Sequence, residues 1–172
     1  MRNMMKVGAA LALMGSPATA ADVKPQPACL TAAEAQALFT YAIPEALDGV
    51  AKTCKPMLPS TAFLATKSDE TVARFRAGAN GSWPTAKAAF LKIAGPGEET
   101  KLLAGMPDSA LQPFVAAAFS GVVAKEVKPA DCSKIDRFVA ALAPVAPANV
   151  AELLTALVGL VGGEDHGDFK VC

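Results

Sequence analysis

An all-α fold, a compact bundle of about six helices with two disulfides, is what this 172-residue sequence predicts. Three observations carry that expectation. Alanine is abundant and β-branched runs are short, which favours helix. Apolar residues recur at spacings of three and four, the period of a helix face. Capping residues and Gly/Pro breaks divide the chain into segments of helical length, and no convincing strand is found.

The first twenty residues, MRNMMKVGAALALMGSPATA, stand apart from this pattern. Arg2 and Lys6 precede an apolar run from Val7 to Met14, and Ala18-Thr19-Ala20 follows, the layout of a secretory signal peptide cleaved after Ala20. The run is shorter than the roughly 20 apolar residues a membrane span takes. Cys29 lies too far beyond Ala21 to carry a lipid anchor. Residues 21–172 are thus read as one helical domain, periplasmic where the cell has two membranes and otherwise secreted. Without Arg2 and Lys6 that domain holds fourteen basic and sixteen acidic residues, a formal charge of −2. Such a balance offers no basic field for nucleic acid or anionic lipid.

The first helix opens at a capping box, Thr31-Ala32-Ala33-Glu34, in which hydroxyl and carboxylate each reach a backbone N–H. Pro44 either kinks that helix or opens a second one, with Leu47, Val50 and Ala51 as its stripe. A connector, residues 56–67, leads to Ser68 as the next cap, with Asp69 and Glu70 at the positive helix end. Residues 78–81 interrupt, Trp83-Pro84 start another helix, and Gly95-Pro96-Gly97 stop it. A short helix around Glu98 to Ala104 precedes Asp108, the expected cap of a segment, LQPFVAAAFSGVVA, that is apolar nearly all round. That segment is expected to be central, with neighbours on every side. The remainder reads as a helical hairpin capped by Asp131 or Ser133, turning at Pro144 to Pro147, and reopening at Asn149 and Glu152.

Four cysteines, Cys29, Cys54, Cys132 and Cys172, with no CxxC pair, suit an oxidising compartment and two disulfides. Hairpin geometry favours Cys29–Cys54 with Cys132–Cys172. The first of these pairs requires a fold-back near Pro44, because one straight helix would hold its ends about 35 Å apart. The crossed pairings close longer loops and require the two ends of the domain to adjoin.

Catalytic signatures are sparse. His166 is the one histidine, and no GxSxG, HExxH, Walker or dinucleotide-binding pattern occurs. Glu164, Asp165, His166 and Asp168 form the densest set of candidate metal ligands, although their spacing matches no EF-hand or zinc signature. Arg74, Arg76, Asn80 and Trp83 surround a helix break. Two guanidiniums and an indole can grip a carboxylate or a glycan, but residues two apart on a helix point to different sides.

No cofactor is predicted. The expected function is binding without catalysis, of an apolar small molecule or an envelope protein partner, since an alanine-rich interior leaves space between helices. The alternatives are a hydrolase-like or metal-binding protein using the arginine group or the His166 loop, and an envelope-structure protein with no small ligand. A deep pocket with converging polar groups favours an enzyme; an apolar tunnel or patch favours binding.

Overall fold

The computed structural model describes residues 28–79, 81–161 and 169–172. The leader, Asn80 and the acidic loop from Glu164 to Asp168 lie outside the described residues. Seven α-helices are present among those described: α1 (Ala32–Cys54), α2 (Phe63–Ala79), α3 (Trp83–Ala94), α4 (Glu98–Gly105), α5 (Asp108–Glu126), α6 (Cys132–Leu142) and α7 (Pro147–Val161). Two three-residue strands, β1 (Ala28–Leu30) and β2 (Phe169–Val171), pair in parallel, Cys29 opposite Lys170. Parallel strands need a crossover, and here the whole helical body serves as one. The fold is all-α apart from this ladder.

The capping box forms as its sequence requires. Thr31 Oγ1 accepts the Glu34 N–H at 3.2 Å, and the Glu34 carboxylate accepts the Thr31 N–H at 2.7 Å. That backbone N–H first, and Lys92 second, hold the Glu34 carboxyl below its ordinary value. Gly95 stops α3 at φ 77°, a conformation that suits glycine.

Pro44 neither breaks α1 nor turns it back. The helix runs on to Cys54 with Pro44 buried inside it. A proline in a helix interior costs about 3 kcal/mol, but α1 packs against α2, α3, α5 and α7. Burial on so many sides offsets the lost hydrogen bond. The favoured cysteine pairing fails as a result, because a 23-residue helix separates Cys29 from Cys54. The bridges are Cys29–Cys172, Cα atoms 5.7 Å apart, and Cys54–Cys132, 5.3 Å apart. The former ties the β-ladder; the latter joins the end of α1 to the start of α6 within an apolar cluster containing Leu64 and Val139.

Other expectations also change. Ser68 is no cap: it is buried within α2, which begins five residues earlier at Phe63. The cap comes from a distant residue, since the Asp136 carboxylate accepts the Leu64 N–H at 2.7 Å and the Phe63 N–H at 3.4 Å. Asp108 is the first residue of α5, with Pro107 in the cap position. The central helix is α1 rather than α5, whose Phe114 and Val122 are more than half exposed. Alanine makes this tolerable, because a small side chain exposes little apolar area. Finally, α7 opens at Pro147 rather than Asn149, and the chain bends by 119° between α6 and α7, so their axes cross instead of lying antiparallel. Among the described residues no single helix is long and apolar enough to cross a membrane.

Candidate functional site

Helix α1 separates two cavities of similar size, one of mixed polar and apolar lining and one almost wholly apolar. On one side Tyr41, Pro44 and Glu45 face Arg76 from α2, Trp83 from α3, and Gln112, Pro113 and Ala116 from α5 across about 410 Å³. Both helix-interior prolines, Pro44 and Pro113, line this space. Two predicted site residues, Arg76 and Trp83, meet here.

Most polar groups of this cavity are engaged with one another; the Trp83 indole N–H is the exception. Arg76 donates from Nε and Nη2 to the two Glu45 carboxylate oxygens at 2.9 and 2.8 Å, a bidentate pair. The Glu45 hydrogen bonds raise the Arg76 guanidinium above its ordinary value despite partial burial. Tyr41 donates to the Gln112 carbonyl at 2.9 Å, and its ring lies 4.9 Å from that of Trp83. Burial, reinforced by Glu45, raises the Tyr41 phenol. The Trp83 indole N–H is buried without an acceptor in bonding geometry. Its influence falls on Asp108, whose carboxyl Lys87 first and this indole second hold below the ordinary range.

Arg74 does not join the group. Its guanidinium lies 5.1 Å over the Phe75 ring and donates to the Ala143 carbonyl at the turn between α6 and α7. Asn80 falls outside the described residues. Arg74 and Arg76 engage different partners, Ala143 and Glu45.

The second cavity, about 390 Å³, lies on the opposite side of α1. Ile43, Ala46, Leu47 and Val50 form its α1 wall, and Thr71 and Phe75 its α2 wall. From α6 come Ile135, Phe138, Val139 and Leu142, and from α7 Val150, Leu153, Leu154 and Leu157. Each of these last two sets follows the i, i+3, i+4, i+7 spacing of a single helix face. Thr71 is the one polar lining residue besides backbone, and its hydroxyl is spent on the Lys67 carbonyl at 2.8 Å. The groove reaches solvent, for Phe138 is 63%, Leu153 50% and Leu157 44% exposed.

The 119° bend explains the opening. Helices α6 and α7 each turn an apolar face toward α1 and α2, but their crossed axes splay, and the side chains between them do not close the space. The sequence shows these two segments as the arms of a helical hairpin. It carries no signal that separates a stripe meeting a neighbour from a stripe meeting a gap.

Among the described residues no three His, Cys, Asp or Glu side chains gather as a metal site; the candidate ligands Glu164, Asp165, His166 and Asp168 are outside them. No protein-family model, curated protein or solved structure matches the chain.

Proposed function

We propose that this chain is an exported helical protein that binds an apolar ligand in the groove between α1, α2, α6 and α7. One observation carries the reading: a cavity of about 390 Å³, within the usual range for small-molecule sites, has an apolar lining and opens through exposed Phe138, Leu153 and Leu157. Apolar surface left in contact with water costs about 25 cal/mol per Å², and a ligand removes that cost. The leader-like first twenty residues and two disulfides support a periplasmic or secreted setting. The polar cavity supports catalysis poorly, because Arg76, Glu45 and Tyr41 are already paired.

Displacement of a fluorescent apolar probe tests the proposal. The unmodified protein should bind the probe and be stabilised by it, by about 2.7 kcal/mol at a hundredfold excess over Kd. Ala46→Phe, which fills the groove from α1, and Leu157→Gln, which makes its rim polar, should both weaken binding. Probe affinity unchanged in both folded variants overturns the groove assignment. Turnover of an ester or glycan that is lost in Arg76→Gln overturns the binding reading itself.

A further inference from the structure

The groove holds no polar side chain free to receive a ligand's head group, yet a cation stands at its edge. Arg74 touches two residues of the lining, Phe75 through its ring and Ala143 through its carbonyl. Its side chain is exposed, and among the described residues no carboxylate pairs with it. Arg76, by contrast, is committed to Glu45. The acid on α6, Asp136, is committed to the start of α2. A guanidinium has five N–H donors in a planar fork. Arg74 spends one on Ala143 and keeps the others for an anion.

We propose that the occupant is a single-chain fatty carboxylate, its aliphatic chain in the groove and its carboxylate on Arg74. This rests on the apolar-groove reading and adds the ligand's class. Charge complementarity selects an anionic head, and the apolar lining selects a hydrocarbon chain without internal polar groups, which would be buried unpaired. The α7 wall from Val150 to Leu157 is about 10 Å long at 1.5 Å per residue, so chain length is read by the groove until the wall ends.

Titration calorimetry with octanoate, decanoate and dodecanoate and with the matching alcohols, all below their micelle concentrations, tests the assignment. Each methylene that enters the groove should tighten binding about fourfold, the equivalent of about 0.8 kcal/mol. Arg74→Gln should weaken the carboxylates about fivefold, the scale of an exposed ion pair, and leave the alcohols unchanged. Arg74→Lys should retain most of the carboxylate affinity. Arg137→Gln, an exposed arginine on α6, should alter neither series. Carboxylates that lose nothing in Arg74→Gln, while Ala46→Phe still abolishes binding, overturn the head-group assignment and leave the groove standing. Failure of both series to bind, or binding of neutral phospholipid vesicles in place of the monomers, overturns the groove reading together with it.

Discussion

The two faces of α1 solve the same problem in opposite ways. Toward α5, the helix meets polar groups that satisfy each other: Glu45 with Arg76, Tyr41 with Gln112, and Asp48 with Ser120 at 3.0 Å. Toward α6 and α7 it meets hydrocarbon, and although α1 and α7 pack together, an apolar groove stays open beside them. Paired polar groups such as these cost little when a cavity is empty, the Trp83 N–H being the exception here, whereas an apolar lining in contact with water remains costly until something covers it. Equal volumes therefore do not mean equal readiness to bind. The difference teaches that the larger uncovered apolar surface, and with it the larger hydrophobic cost, is on the α6 and α7 side.

Truncating one large aromatic ring at each cavity should separate the two sides most clearly. Trp83 is 6% exposed and packs with Leu111, Val115 and Tyr41. Trp83→Ala should lower stability by about 3–5 kcal/mol in chemical denaturation. Phe138→Ala, at the open rim, should cost about 1 kcal/mol or less, so equal losses would erase the distinction.

Gly49 probes how tightly α1 and α5 are joined. A Cβ there would collide with the backbone carbonyl of Ser120, and a backbone atom cannot step aside. Gly49→Ala should destabilise by about 1–3 kcal/mol. Ala46→Phe, three residues earlier but facing the groove, should be milder in the same melts because space already exists there.

Glu45→Gln should cost about 1 kcal/mol, as expected for a bidentate pair with a half-exposed partner. The loss should fade in high salt. No groove-side substitution should show such a salt dependence.

The smallest effect concerns pH. Burial works against the Asp48 charge, but Lys52 and Ser120 outweigh it and hold its carboxyl below the ordinary value. A carboxyl depressed in the folded state contributes stability above its unfolded pKa of about 3.9, and the contribution is lost as pH falls through the lower folded value. Asp48→Asn should therefore be less stable than the unmodified protein near neutrality and lose less on acidification. Parallel acid titrations of the two proteins would contradict this assignment.

Local chemistry was legible in the sequence where one turn of chain contained it all. Thr31 and Glu34 form their capping box, Gly95 ends α3, and Trp83-Pro84 open it. Errors arose where a distant residue decided the outcome. Asp136 caps α2 from seventy-two residues beyond Leu64 and so displaces the local candidate Ser68. Pro44 stays in a helix because α1 as a whole is packed against four other helices, which no window of sequence contains, and the cysteine pairing depended on a fold-back there. At the candidate site, α6 and α7 were legible as two helical arms, but the bend between them is a property of the turn at residues 143–146 and of packing. Arg74 and Arg76 were separable by helix geometry alone, while their partners Ala143 and Glu45 were not.

The bridge between Cys29 and Cys172 also decides how the molecule carries mechanical load. Tension entering at Ala28 and leaving at Cys172 passes through one covalent bond and bypasses the intervening helices. Once that bond is reduced, β1 and β2 are pulled along their length in opposite directions, so their ladder and the Cys172-to-Leu30 hydrogen bond resist in shear. Only after this clasp slides would force reach α1 and α7. The oxidised protein is a loop closed at its neck, and its helical body can be tethered without being stretched.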